Sequence, residues 1–444
     1  MLPFFSFLIE QEDPEEGASR QIKHLTHVED RPLQNGEKGA KHAIASLTAA
    51  AQHIQQGKKG SELTTKYDGS PAIVYGRHPE NGKFFVASKS AFNKTPKINY
   101  TDADIEKNHG HAPGLVGKLK DALKHLPKVA PEKGVYQGDM MFSQDDKTPA
   151  KGGGVSFHPN PSGLTYTAHG THANVVKKAK IGVVTHLSYS GKDSNSLNAN
   201  HEVDHENFKP HSDVFSVDPR MDTSKVHFGP KDRAEFNKHI SAAQAVHDTH
   251  GDDMYAGTKT HHGIGGHLET YMNHTVRTGE SPNHQNFSKW LETKKNKEID
   301  KLKVEKNRTA KQSEMKDELG KIDRNRKHYN NLFKMHQHLQ KAKNVLINVM
   351  DQHQEFQHTH AGENANPEGY VFHHGKESDK FVNRADFSRR NFAGIRKFTE
   401  PSTPAPTTQK VPVAEPARIT DKLPIGTTPK RKPKLKVDYS KDEA

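Results

Sequence analysis

An interruption limits what this chain can fold into more than any other feature. β-type patterning fills Leu63 to Ser188, yields to helical periodicity between about Asp232 and His353, and resumes at Glu368–His373. Strands on both sides of that gap belong to one core only if the helical stretch is an insertion that returns the chain to its sheet. The expected organisation is therefore a mobile leader (1–21), a core begun at 22–231, a helical insertion at 232–357, closing strands at 358–399, and a tail at 400–444.

The local signals agree with this layout. Ala40, Ala43, Ile44, Leu47, Ala51 and Ile54 recur at helical spacing and predict a helix over 37–56, stopped by Gly57. Leu63–Lys66, Ala72–Tyr75 and Phe84–Ser88 read as strands separated by Asp68-Gly69 and the Pro79–Gly82 turn. Leu115, Leu119, Leu123 and Leu126 mark a short helix ending at Pro127. Strands return at Val135–Phe142, Leu164–Ala168 and Ile181–Ser188, around the Gly152–Gly154 loop. In the insertion, Lys294–Lys327 is dominated by charge. Leu332, Met335, Leu339, Ala342, Leu346 and Val349 then alternate spacings of 3 and 4, an a/d seam suited to a helical hairpin or to self-association through the 330–350 helix. Beyond Thr399, Pro, Thr and Lys prevail up to Pro429–Lys436, the composition of a disordered basic tail. The fold class expected is α+β with antiparallel hairpins.

Composition narrows the chemistry. With 31% hydrophobic and 27% charged residues, the chain can fill one compact core surrounded by solvated helices. No run reaches the roughly 18–20 apolar residues of a membrane span, and Met1–Ile9 lacks the basic start and cleavage site of a secretory signal. The absence of cysteine rules out disulfides, thiolate metal sites and cysteine nucleophiles. A net charge of +12 favours a polyanionic partner, nucleic acid first, and equally fits a charged tail.

Lys66-Tyr-Asp-Gly69 lies between two predicted strands. A lysine attacks a phosphate only as the free amine, which partial burial or neighbouring cations promote. The motif is followed in order by Lys89 in Val86–Ser90, Asp139 in Gly134–Phe142, Glu368 in Pro367–Phe372, and Lys380 with Arg384 in Lys380–Arg384. This order resembles the covalent nucleotidyltransferase superfamily of ATP-dependent DNA ligases, RNA ligases and mRNA capping enzymes, and a group of ligase-like bacteriophage proteins. It covers roughly residues 22–190 and 362–400. The resemblance implies an antiparallel nucleotidyltransferase core, ATP as AMP donor, and Mg2+ or Mn2+. By position, Lys66 would form lysyl-AMP, Asp68 and Gly69 would border the nucleotide, and Lys89 would contact ribose or phosphate. Asp139 would lie near the ribose and, with Glu368, hold the metal. Lys380 would meet the α-phosphate, Arg384 would stand in for a second basic residue where Val382 occupies the usual place, and His186 would stack on the base. Ser70-Pro71 departs from the arginine many ligases carry after the motif.

The function expected is a ligase-like adenylyltransferase acting on RNA or DNA ends, phage-encoded, working in the host cytoplasm or carried in the virion. Leu8-Ile9-Glu10 resembles the cut site of a phage packaging peptide. The alternatives are a non-catalytic nucleic-acid-binding or virion protein that keeps the fold, and an adenylyltransferase whose acceptor is a protein or small molecule. The histidine pairs His109/His111, His169/His172, His261/His262, His358/His360 and His373/His374 lack a His-Glu-x-x-His arrangement and read as loop residues. Gly36–Gly39 and Gly114–Lys118 do not fit a Walker loop, and no aromatic-basic stripe accompanies Trp290.

Overall fold

The computed structural model describes residues 25–160, 163–193, 196–259 and 264–386. The predicted leader, the basic tail and the end of the closing segment lie outside the described residues. The first elements are strand β1 (Thr26–His27), helix α1 (Arg31–Gln55), β2 (Lys59–Lys66), β3 (Ala72–Arg77) and β4 (Phe84–Ala87). Helices α2 (Asp102–His109) and α3 (Pro113–His125) follow, then β5 (Val135–Phe142), β6 (Lys147–Pro149), β7 (Val155–Phe157) and β8 (Thr165–Ala168). After α4 (Gly170–Lys178) come β9 (Ile181–Ser190), β10 (Asn198–Asn200), β11 (Val214–Val217) and β12 (Arg220–Asp222). Five helices fill the gap: α5 (Pro230–Lys259), α6 (Ile264–Thr278), α7 (His284–Ile299), α8 (Glu305–Arg324) and α9 (Arg326–Met350). The chain ends its described course with β13 (Gln357–His360), β14 (Glu363–Asn364), β15 (Gly369–His374) and β16 (Glu377–Phe381).

Three sheets result. The first runs β1-β16-β15-β2-β12, the second β10-β9-β5-β3-β4 with β11 beside β9, and the third β14-β13-β8-β7-β6. Most neighbours are antiparallel; β1–β16 and β11–β9 are parallel. The late strands β15 and β16 thus complete the sheet that β2 begins, and the class is α+β.

Side-chain alternation fixes what each sheet covers. Leu63, Tyr370, Phe372 and Phe381 of the first sheet pack against α1 and the insertion helices. In the second, Ile73 and Tyr75 meet α2 and α3, whereas Val74 faces Phe85, Leu187 and Tyr189. The third packs Phe157, Leu164 and Tyr166 on Phe142, Phe215 and Phe356.

The predicted helix over 37–56 begins earlier, at Arg31, but Gly36 breaks it at a φ of 56° that favours glycine. The a/d seam of α9 is wholly buried in the core shared with α1 and α5, so it packs within the chain. The predicted strand 84–88 ends at Ala87, so Lys89 occupies the 3-10 turn Lys89–Phe92 and is exposed. Helices α2 and α4 and strands β6, β7, β13 and β14 went unpredicted because all are short, with little room for a period to show.

Buried charge ties the two halves of the chain together. Asp379, fully buried on β16, receives Arg31 at 2.7 Å, His42 at 2.8 Å and Ser46 at 2.6 Å from α1. Glu29 and Lys343 of α9 form a 2.5 Å pair with neither side chain exposed. Arg384 donates to both carboxylate oxygens of Asp30 at 2.8 and 2.9 Å, and His336 reaches Asp30 at 2.8 Å.

Candidate active site

Lys66 ends β2 at the point where the chain leaves the first sheet for the second. The crossing segment is fastened on every side. The buried Tyr67 donates its hydroxyl proton to Glu355 at 3.3 Å. The Asp68 N–H donates to the Tyr166 hydroxyl at 2.8 Å, and the Asn160 amide donates to Asp68 Oδ1 at 3.2 Å. Ser70 N–H donates to the Met140 carbonyl at 2.9 Å, and Lys118 Nζ donates to the Ser70 carbonyl at 3.2 Å. Gly69 passes so close to β5 that a Cβ would lie 2.5 Å from Asp139 Cβ and 3.1 Å from the Met140 oxygen, so glycine alone fits there.

Register then decides which side chains meet. Leu63 faces the helical core, so Lys66, three residues on, faces the opposite side. Lys66 pairs with Gly369 and Thr64 with Val371, whose partner on β16 is Lys380. Phe381 and Asp379 flank Lys380 and point into the helical side. Lys66 and Lys380 therefore share the face turned away from the helices. Gly369, at φ 147°, lets the chain bend there; a Cβ would sit 2.5 Å from the Phe381 carbonyl.

Glu368 precedes that glycine and is nine-tenths buried. Its Oε1 accepts a hydrogen bond from Lys66 Nζ. Its Oε2 is buried with no hydrogen-bond partner among the described residues. Burial pushes the Glu368 carboxyl above the usual range, and the charges of Lys66 and Lys380 pull against it. For Lys66, burial favours the free amine, but Glu368, with Asp68 and Asp139, more than offsets this and holds its pKa above the ordinary 10.5. Lys380 moves the other way: burial and then the Lys66 charge lower it. Among the described residues its ammonium forms no ion pair or hydrogen bond. The nucleophile candidate is charged as it stands, and a second, desolvated cation lies beside it.

Asp139 belongs to the second sheet, between Ala72 of β3 and Val184 of β9. His186, beside a register shift in β9, sets Nε2 3.0 Å from Asp139 Oδ2. His186, the residue expected to stack on the base, is thus joined to Asp139. Extending the Val74–Ala87 register brings Lys89 level with Ala72, at the Asp139 end of the sheet, but on a turn rather than a strand. Arg384 is excluded from a phosphate-binding role by its partners. Asp30 takes both of its short ion-pair contacts and Asn273 a third at 2.5 Å, making it a buried brace between strand and helices. Tyr166, Asn160 and Lys118 were not foreseen. Tyr166 lies in a strand the sequence did mark, but its contact spans 98 positions and leaves no local signal.

Among the described residues no group of three or more histidine or carboxylate side chains is arranged to hold a metal. His169 meets Gln357 at 3.1 Å and His172 meets Glu355 at 3.6 Å, while His261 and His262 lie outside the described residues. The chemistry of the site still fits a hard divalent ion in one way. Mg2+ commonly takes one or two carboxylates and completes its shell with water and phosphate oxygens, and Glu368 Oε2 is a buried carboxylate oxygen lacking any partner.

No helix among the described residues is long and apolar enough to cross a membrane. Residues 22–396 match a family described as of unknown function, DUF6267, and the chain belongs to that family. No curated protein and no solved structure matches it.

Proposed function

We propose that the protein is an ATP-dependent, ligase-like adenylyltransferase with a nucleotidyltransferase core, in which Lys66 takes up AMP for transfer to RNA or DNA ends. The observation carrying this reading is that Lys66, Glu368 and Lys380 gather on one face of the first sheet, with Asp139 near enough to act on the Lys66 charge. In the reaction, the Lys66 nitrogen would bond to the α-phosphorus of ATP as the bond to the pyrophosphate oxygen breaks. Lys66 becomes a free amine by giving one proton to the Glu368 carboxylate in contact with it, whose affinity for protons burial has raised, and the second proton, displaced as the nitrogen–phosphorus bond forms, leaves with the pyrophosphate. Lys380 supplies positive charge where the phosphoryl oxygens gain negative charge in the transition state. Glu368, with Asp139, would hold the Mg2+ or Mn2+ that neutralises phosphate charge.

A competing reading rests on a single fact. The pair with Glu368 holds Lys66 protonated, which suits a non-catalytic nucleic-acid-binding or virion-associated protein retaining the fold. On the enzyme reading, withdrawal of Glu368 from Lys66 leaves a half-buried amine next to Lys380, and both influences favour the free base. The proposed setting is a phage-infected host cytoplasm, with a virion-associated role on the competing reading. Incubation with α-labelled ATP and Mg2+ or Mn2+, followed by a denaturing gel, separates the two. Acid-labile label on the wild type and none on Lys66→Ala is expected. A wild type that stays unlabelled with every nucleotide and metal refutes the enzyme, and equal label on the mutant moves the nucleophile elsewhere.

A further inference from the structure

Helix α8 is built unlike the others. Across Glu305–Glu314 every residue is exposed except Arg308, which is half-buried. A helix that turns through a hundred degrees per residue and buries none of them presents no packing face over nearly three turns. Apolar support for the α7–α8 hairpin comes from Phe287, Leu291 and Ile299 on one side and Met315 and Ile322 on the other. Past Ile299 and before Met315, Leu302 is half-buried and Val304 is 55% exposed. The distal part of the hairpin therefore stands in solvent.

Its charges are distributed unevenly. Near the supported end, Lys295 pairs with Glu318 at 2.8 Å and Lys321 with Asp317 at 2.8 Å. At the distal end, Lys297, Lys301, Lys303, Lys306 and Arg308 have no ion pair or hydrogen bond from their side chains among the described residues, and four of the five are exposed. Three carboxylates, Glu298, Asp300 and Glu305, share that stretch, so positive charge is in excess. No aromatic side chain lies between Glu292 and Lys327; Trp290 is part-buried and covered by Lys294 at 5.4 Å.

We propose that the distal α7–α8 hairpin is a docking surface for the phosphate backbone of duplex nucleic acid. Unpaired cations gathered on the solvated end of the hairpin, from Lys297 at the end of α7 through the turn to Arg308 in the first turn of α8, match a polyanion. The lack of aromatic platforms argues against single strands, whose unstacked bases need them, and leaves a contact that positions without reading sequence. The inference shares with the proposed function only its nucleic-acid partner and does not depend on a nucleophilic Lys66.

Binding of the full chain to a fluorescent duplex, titrated at several salt concentrations, provides the test. Each phosphate contact contributes about 0.9 to the slope of log affinity against log salt. Lys303→Gln/Lys306→Gln should flatten the slope by about 1.8 and weaken binding about tenfold or more near 0.1 M salt. Lys225→Gln/Lys238→Gln, which removes equal charge from exposed sites paired to Asp222 and Glu235, should leave the slope unchanged. Equal losses in both variants would reduce the effect to net charge and overturn the assignment, as would no loss in either. Tighter binding to single strands, or a loss matched on anionic phospholipid vesicles, would likewise overturn the duplex surface. Both variants should still label with ATP as the wild type does. If neither they nor the wild type labels while the duplex result holds, the enzyme reading fails and this one stands.

Discussion

Replacing Lys343 by methionine tests the buried ion cluster directly. The substitution keeps an unbranched side chain one atom shorter and removes the charge that Glu29 meets at 2.5 Å, where neither partner is exposed. Removing one member of such a pair costs roughly 3–5 kcal/mol, since the survivor is left charged in a dry environment. Here Arg384 stands 3.8 Å from the same Glu29 oxygen and retains part of the compensation, which places the cost near the lower end, about 3 kcal/mol. Among the described residues Glu29 Oε2 already lacks a hydrogen-bond partner, so little further relief is at hand. In urea, a chain of this size should show a slope of at least ~3 kcal/mol/M, and the midpoint should fall by up to about 1 M. Adding Glu29→Gln in the same chain should restore stability to within about 1 kcal/mol of wild type, because a neutral pair of similar volume carries no desolvated charge. A cost below about 1 kcal/mol for Lys343→Met, or a double variant less stable than the single, would refute the claim that this pair is dry and mutually dependent.

Three further outcomes follow from the geometry. For Glu29, burial raises the pKa but Lys343, His27 and Arg384 together more than offset it; Asp30 and Asp379 are likewise lowered against burial, by Arg384 with His336 and by His42 with Ser46 and Arg31. Carboxyls lowered in the folded state contribute stability that is complete above their ordinary values of 4.5 and 3.8 and is lost as pH falls through the lowered ones. Melting temperature should therefore decline below about pH 4.5, less steeply in Asp379→Asn, and a melting temperature that rises from pH 6 to 3 would contradict the assignment. Gly69→Ala should cost about 1–3 kcal/mol by forcing β5 away from the crossing segment; chemical denaturation showing no loss would mean the passage is looser than described. Glu368→Gln removes the main upward influence on Lys66 and leaves burial, opposed by Asp68 and Asp139, to lower its pKa. Acylation of Lys66 near pH 8, followed by peptide mass spectrometry, should accelerate about tenfold or more, each pKa unit being a factor of ten in free amine; slower or unchanged acylation counts against the ion pair.

Legibility in the sequence followed the range of the interaction. The seam of α9 and the apolar run of β3 were plain because the first buries one face and the second both faces along its own length. The meeting of Lys66 with Glu368 and Lys380 was anticipated only through the order of motifs, which local periodicity could not have supplied. Arg384 shows the opposite case. Its spacing from Lys380 suggested a shared site, but its side chain turns to Asp30, 354 positions away, and nothing near Arg384 announces that partner. Lys89 lies two residues past the end of β4, where the chain has already turned, so the cation expected beside a strand sits on a turn. Asn160, Tyr166 and Lys118 serve the crossing segment through contacts spanning 92, 98 and 48 positions, each made by the finished fold.

The pairing of β2 with β15 has a consequence for synthesis. Lys66 and Glu368 are separated by 302 positions; at roughly 5–20 residues per second on the ribosome, about 15–60 s pass between them. Throughout that interval β2 can find β12 on one side, while its other edge has no partner yet made. A nascent or truncated chain ending before Glu368 would expose that edge to neighbouring chains and would hold Lys66 without its carboxylate. The meeting of Lys66 with Glu368 and Lys380 thus belongs to the last part of chain synthesis, so that β2 must wait for the end of the chain to complete its sheet.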